Sequence, residues 1–346
     1  MIYGANGYSG ELIAREAAAR GLTPILAGRS AAKLEPLGRD LGLPVRVFGL
    51  DDASALNVGL DGIGLVLHCA GPFSATSAPM LAACLRTGAH YLDITGEIDV
   101  FERAYALDAE AKAAGIVVCP GVGFDVIPTD CVAATLAAEV PGAVRLALGF
   151  DTRSGMSPGT MKTSIEGLAS GSRVRRGGRL VGVPLGKLRR RVDFGNGEKD
   201  AVAIPWGDLA SAYRTTGVGD IAVFIPTSPK RTRGLRLANL ARPVFRLGPV
   251  QRMMQRRVAR TVTGPTPQAR AQHRTYVWGE ITDAAGETRT ARVVTANGYD
   301  VTVTGSLAIV EHLQNSAPIG GAYTPSQLMG KDLITTLPGS GEIDLS

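Results

Sequence analysis

The sequence predicts an α/β protein: a doubly wound parallel sheet in the N-terminal part, then a second, α+β substrate domain that contains antiparallel strands. Three observations predict it. To about residue 120, short β-rich apolar runs alternate with helical segments, the pattern of successive strand–helix–strand units. The glycine run Gly4-Ala5-Asn6-Gly7-Tyr8-Ser9-Gly10 stands directly between an apolar strand start and the helical stretch 11–20. After about Pro128 the alternation gives way to longer connections, clusters of glycine and arginine, and a two-strand hairpin over 273–295.

Taken in order, strands are expected at 1–3, 24–27, 45–48, 65–69, 91–94 and 116–119, forming a six-strand layer covered by the intervening helices. Gly21 follows the first helix as a left-handed cap. Ser30 precedes the second as an N-cap, and Leu34, Leu37 and Leu41 form its buried stripe despite Pro36. In the hairpin, Tyr276, Val277, Trp278 and Ile281 precede the turn Ala284-Ala285-Gly286-Glu287, and Arg292, Val293 and Val294 follow it. Leu307, Val310 and Leu313 then mark a helix that ends near Asn315.

Composition sets limits. With 346 residues the chain is long enough for two domains, and 45% apolar with 20% charged residues excludes disorder as its main state. No uncharged apolar run reaches about 18 residues and no basic segment leads into an apolar stretch at the start, so neither a spanning helix nor a signal peptide is expected and the cytoplasm is the expected compartment. Cys69, Cys84, Cys119 and Cys131 lack CxxC spacing, and His68, His90, His273 and His312 lack HxxxH or HExxH spacing. Neither a disulfide framework nor a metal site is expected.

The glycine run has a physical reading. Gly4 makes the tight turn, Gly7 lets the main chain approach a pyrophosphate, and Gly10 lets the helix pack close to the strand. The helix N-terminus then faces the phosphates with unpaired amides, with Asn6, Tyr8 and Ser9 lining the loop. This is the dinucleotide site of a Rossmann domain. About 20 residues further on, where an acid would bind the ribose hydroxyls of NAD, the sequence has Ala27-Gly28-Arg29-Ser30. Arg29 can pair with a 2′-phosphate, and Ser30 and Lys33 can add donors, so NADP(H) is the expected cofactor. Asp51 or Asp52 can meet the adenine edge or cap the next helix, capping being the better reading for either alone. Ala70, Gly71, Pro72 and Phe73, at the end of the fourth strand, fall where the chain passes the dinucleotide bridge.

These residues, together with Tyr91-Leu92-Asp93-Ile94-Thr95-Gly96-Glu97 and the run from Pro120 through Gly123-Phe124-Asp125 to Asp130, resemble the saccharopine dehydrogenase-like oxidoreductases, and within them the trans-acting enoyl reductase branch. The ordered set GANGYSG, AGR, CAGPF, YLDITGE and GFDVIPTD carries the resemblance, which continues through 205–208 and 320–330. It implies an NADP-binding domain over 1–127, a substrate domain over 128–305, and a segment 306–346 that returns to the first domain. It also implies hydride transfer to or from a C=C or C=N bond, and it places Asp125 beside the nicotinamide and substrate. The paired arginines that grip an amino-dicarboxylic substrate have no match here, which argues against saccharopine itself. With only three residues before Gly4, a truncated start is expected.

Such chemistry needs a proton donor or charge stabiliser near the acceptor. The candidates are Asp125, Tyr91 and Glu97, with Tyr299 contributed by the second domain. Structural roles compete: Asp93 and Thr95 can satisfy loop amides, Glu97 can face a helix dipole, and Asp130 can cap a helix beginning near Cys131. Finally, arginine recurs at 231, 233, 236, 242, 246, 252, 256, 257 and 260, interleaved with leucine, valine and methionine. Such a segment can meet an acidic acyl carrier protein or an anionic membrane surface, or form a solvated face over an apolar lid. Nucleic acid is not an expected partner, because no stacking platform accompanies the charge. The leading reading is an NADPH-dependent reductase of an activated C=C bond in an acyl-type small molecule. The alternatives are an imine or secondary-amine oxidoreductase and a non-catalytic NADPH-binding sensor or scaffold.

Overall fold

A computed structural model of the protein describes residues 1–153, 155–245 and 247–346, with the main chain alone at 166, 168–170 and 259. Arg246 of the basic segment lies outside the described residues. The chain divides into two compact units, one of Met1–Asp125 with Tyr299–Met329, the other of Val126–Gly298 with Gly330–Ser346. Sequence reading put the divisions at 127/128 and 305/306 and kept 306–346 together.

The first unit opens with β1 (Ile2–Tyr3), α1 (Tyr8–Ala19), β2 (Leu26–Gly28), α2 (Ala31–Leu41), β3 (Val45–Val47) and α3 (Ala53–Gly59). It continues with β4 (Leu65–His68), α4 (Phe73–Thr87), β5 (His90–Asp93), α5 (Ile98–Ala106), α6 (Asp108–Ala114) and β6 (Val117–Cys119). The strands are all parallel, in the order β6-β5-β4-β1-β2-β3. Their order reverses between β1 and β4, so the carboxyl ends of these two strands are the switch point of the sheet. Leu56, Leu60, Val66, Met80, Leu81 and Tyr91 are among the buried residues of one core cluster against this sheet. Helix ends follow local chemistry. Gly21 has φ +78° just past the Arg20 C-cap, and Gly42 closes α2 at φ +64°. Ser30 holds the N-cap position of α2, but its side chain makes no capping bond. Asp52 caps α3, its carboxylate accepting from the amides of Ser54 and Ala55.

The second unit begins with α7 (Ile127–Glu139), β7 (Arg145–Thr152), α8 (Pro158–Ser170), β8 (Ser172–Arg176), β9 (Arg179–Val183), β10 (Arg189–Asp193) and β11 (Glu198–Ile204). There follow α9 (Asp208–Thr216), β12 (Asp220–Pro226), α10 (Pro229–Phe245), α11 (Gly248–Thr261), α12 (Pro267–Gln272), β13 (Thr275–Thr282) and β14 (Thr288–Thr295). The expected hairpin is β13–β14, in register from Thr275 opposite Thr295 to Thr282 opposite Thr288. β7 and β12 pair parallel, whereas β10–β11, β11–β12, β7–β13 and β13–β14 are antiparallel. Phe194, Phe224 and Trp278 pack one face. On β13, a side chain at Gly279 would meet Val132 Cγ1 at 2.5 Å, so this glycine lets α7 lie close on the strand.

α7 starts at Ile127, with Pro128 in its first turn. Asp130 is therefore not the cap expected before Cys131; it is buried in the first turn and accepts the Thr215 hydroxyl at 2.5 Å. The arginines of 173–191 also resolve into strands. Arg175 is buried, donating to the carbonyls of Leu209 (2.6 Å) and Gly178 (2.7 Å). Arg190 forms a two-pronged pair with Glu280 at 2.9 and 2.7 Å and lies over the Trp278 ring.

The chain then returns to the first unit with α13 (Gly298–Asn315), which enters it from Tyr299, β15 (Gly321–Ala322) and α14 (Pro325–Met329). β15 pairs parallel with β6 and adds a strand that sequence reading did not place. α15 (Leu333–Thr336) and β16 (Asp344–Leu345) belong to the second unit, where β16 pairs with β14. Among the described residues, no helix is long and apolar enough to cross a membrane.

Candidate cofactor and hydride-transfer site

The site grows from two strand ends of the first unit. Gly4 follows β1 at φ +85°, a conformation that side chains resist, and a Cβ there would lie 2.7 Å from the Ala70 amide nitrogen and 2.8 Å from Ala70 Cβ. The loop after β1 and the segment after β4 thus touch main chain to main chain. Gly10 is under the same constraint, because a Cβ would press into the Gly4 carbonyl and lie 3.0 Å from Ala5 Cα. The Gly7 amide donates to the Gly4 carbonyl at 2.9 Å, which closes the turn. The outcome is a tight main-chain turn that leads directly into the N-terminus of α1, the kind of place where helix amides can receive an anion.

Beyond β2, the Asn6 side-chain oxygen would meet a Cβ at Gly28 at 3.3 Å, so Asn6 lies over that strand end. Arg29 is exposed and makes no hydrogen bond or ion pair among the described residues. Lys33 is exposed and Ser30 half-buried on the next turn. The Tyr3 hydroxyl donates to the Phe48 carbonyl at 3.0 Å. Burial pushes its titration up to about 12, while the charge of Arg29 acts downward and that of Asp51 upward, which brings both charged residues to this end of the sheet. An exposed cation beside a glycine cradle fits a 2′-phosphate.

The Ala70–Phe73 segment is held from three sides. Thr76 donates its hydroxyl to the Ala70 carbonyl at 2.6 Å, and His68 Nε2 lies 3.0 Å from the same hydroxyl oxygen. Burial pushes His68 down to about 3, so its ring is neutral at physiological pH. The Glu97 carboxylate accepts the amides of Phe73 (2.9 Å) and Ser74 (2.6 Å), capping α4 from across the sequence. Its two oxygens hold the segment in place; the helix-dipole role is the one its geometry expresses.

Tyr91 is likewise occupied. It is fully buried, and its hydroxyl donates to Asp93 Oδ2 at 2.7 Å, with its ionisation pushed up by burial and by that carboxylate. Asp93 also accepts the amides of Thr95 (3.0 Å) and Gly121 (2.9 Å), so it ties the end of β5 to the chain after β6. Burial raises Asp93 to about 6 against the opposing hydrogen bonds.

Asp125 is the chemically suggestive acid. It is partly buried, and its carboxylate packs so tightly on Gly96 that a Cβ there would sit 2.9 Å from Oδ2. Burial raises this carboxyl to about 7, where it can hold and release a proton near neutrality. The loop before it is pinned by α13: the Phe124 amide donates to the Thr302 hydroxyl at 3.0 Å, and Gly123 lies against the same side chain. Thr302 was not foreseen, because nothing in its local sequence marks a partner 178 residues away. Tyr299 was expected from the second domain, but it belongs to the first unit, where its ring meets Tyr8 of the glycine loop edge-on at 5.0 Å.

Comparison with known proteins agrees with this geometry. Residues 1–119 match the saccharopine dehydrogenase NADP-binding domain. A trans-acting enoyl reductase of Mycobacterium leprae is 34% identical over 138 residues, 38% of this chain and 33% of that protein. A human saccharopine dehydrogenase-like oxidoreductase is 29% identical over 223 residues, 55% of this chain and 52% of that protein. The chain thus spans about a third to a half of the length of the curated relatives it matches. Among solved structures, the apo saccharopine dehydrogenase (L-Glu forming) of Saccharomyces cerevisiae superposes with a TM-score of 0.62 at 12% identity, covering 100% of this chain and 98% of that one, a likeness of fold. Residues 1–119 thus carry an NADP-binding domain of the saccharopine dehydrogenase type, and over about half its length the chain is similar to saccharopine dehydrogenase-like oxidoreductases.

Proposed function

We propose that the protein is an NADPH-dependent reductase of an activated C=C bond in an acyl-type substrate, carrier-bound or lipid-like. The observation that carries this reading is the combination of an uncommitted Arg29 beside the glycine cradle with a carboxyl at Asp125 that titrates near 7. The likeness to a mycobacterial trans-acting enoyl reductase supports C=C as the acceptor. When bound, NADPH supplies the hydride. The chain's part is to hold it: the main chain of Gly4 to Gly10 takes the pyrophosphate, Arg29 with Ser30 and Lys33 takes the 2′-phosphate, Asp51 borders the adenosine end, and Ala70 to Phe73 lines the dinucleotide bridge. Asp125 keeps a proton at Oδ1 or Oδ2 and gives it to the product as negative charge builds on the substrate. Tyr299 stands over the loop beside Tyr8. Tyr91 and Glu97 act by positioning, through Asp93 and through α4. The second unit, Val126–Gly298 with Gly330–Ser346, is read as the substrate domain.

One observation favours a second reading. A carboxyl near pH 7 also suits an imine, whose nitrogen must stay protonated for hydride addition. Oxidation of NADPH, followed by absorbance with enoyl thioesters and with cyclic imines in parallel, separates the two. Turnover of thioesters alone supports the first, and turnover of imines alone replaces it with the second.

A further inference from the structure

From Asp220 to Glu280 the sequence contains no acidic residue between the two, yet it carries Lys230, Lys-free arginine runs and both helices α10 and α11. The structure shows how this charge is presented. On α10, Thr232 is buried, Asn239 bonds to the main chain of Leu185 at 3.0 Å, and Arg236 reaches the Gly186 carbonyl, which defines the packed side. Lys230, Arg233, Leu237, Leu240 and Val244 recur at alternating steps of three and four and are all exposed, so they form one outward stripe. Leu237 is 66%, Leu240 81% and Val244 52% exposed, and Leu247 at the helix junction is 54% exposed. Side chains of this kind normally turn inward.

α11 adds the charge. Arg252, Arg256, Arg257 and Arg260 line an open concavity with Met253, which is 64% exposed. Their guanidinium groups make no hydrogen bond or ion pair among the described residues. The surface therefore joins outward aliphatic groups to cations that have no internal counter-charge.

We propose that the α10–α11 face is a membrane-docking surface for a bilayer rich in anionic phospholipid. The aliphatic stripe enters the headgroup boundary, and the arginines of α11 meet lipid phosphates. An acidic protein partner offers charge complementarity too, but the composition favours lipid. Stable protein contacts centre on aromatic anchors, and 230–260 holds neither Trp nor Tyr and only Phe245. Charges of both signs, which fix the register of a protein partner, are also missing. The inference is independent of the reductase reading.

The test is co-sedimentation of the full chain with vesicles of phosphatidylcholine alone or with about one third phosphatidylglycerol. Binding is expected to the anionic vesicles and not to the neutral ones, and to weaken in high salt. Arg252→Gln, Arg256→Gln, Arg257→Gln and Arg260→Gln combined should lower it about 600-fold, at about five-fold per charge. The corresponding four lysine substitutions should retain it. Leu237→Gln, Leu240→Gln and Val244→Gln combined should weaken it while the salt dependence persists. NADPH binding serves as the folding control for every variant. Equal binding to both vesicle types, no binding to either, or indifference to the glutamine variants overturns the proposal, and capture of an acidic acyl carrier protein without vesicle binding reassigns the face to protein docking.

Discussion

Replacing Arg29 by alanine isolates the 2′-phosphate contact. Arg29 is exposed and makes no hydrogen bond or ion pair among the described residues, so the free protein has no contact to lose and its melting temperature should not change measurably. In the complex, a guanidinium–phosphate contact contributes about 1.5–3 kcal/mol, and exposure to solvent puts this one near the lower end. NADPH affinity should therefore fall about 10- to 30-fold. NADH lacks the phosphate, and its affinity should stay within about two-fold. Arg29→Lys keeps the charge without the planar fork and should fall between. Nicotinamide fluorescence titrations of both cofactors on the three proteins give all six constants. Equal loss for NADPH and NADH, or equal affinity for both in the unaltered protein, would refute the assignment of Arg29 to the phosphate.

Other outcomes follow from the same site. Because the folded protein raises Asp125 to about 7 from 3.8, its acid form persists to neutrality and is lost as pH rises through about 7. The rate of NADPH oxidation should fall above that pH, and Asp125→Asn should be slower by about 10²- to 10⁴-fold with that limb removed; a mutant profile with the same limb would assign the titration elsewhere. Gly4→Ala meets both φ +85° and the Ala70 main chain, so it should cost about 2–5 kcal/mol in stability or in cofactor binding, read by denaturant unfolding with and without NADPH. Glu97→Gln keeps the shape but loses the charge on two α4 amides, so it should lower stability by about 1 kcal/mol while the pH profile stays unchanged. A shifted profile would return Glu97 to the chemistry.

Much of this was legible because it rests on short-range constraints. The glycine loop, the left-handed Gly21 and the β13–β14 hairpin each follow from residues within one turn or strand of one another. What escaped depends on distant pairing. β15 has two residues, too few for any periodicity, and is fixed by main-chain bonds to Ile116 and Val118 and by Asp108 accepting the Ala322 amide at 2.8 Å. Tyr299 was placed by its position in the chain, which says nothing about the return of α13 to the first unit. Asp130 was misread although Pro128 already signalled a first turn two residues earlier. Charge counts carry little information at 173–191, since a buried arginine such as Arg175 has the same letter as a solvated one.

The late arrival of β15 also bears on how the chain is made. β6 ends at Cys119 and its outer neighbour begins at Gly321, so a ribosome must add about 200 residues before that edge can be paired. At about 5–20 residues per second this interval lasts about 10–40 s. Throughout it the nascent first unit exposes an open strand edge, and for most of it the unit lacks the Thr302 hydroxyl that pins the Phe124 amide. The cofactor loop can form early, but the Asp125 end of the site must wait for the chain to come back.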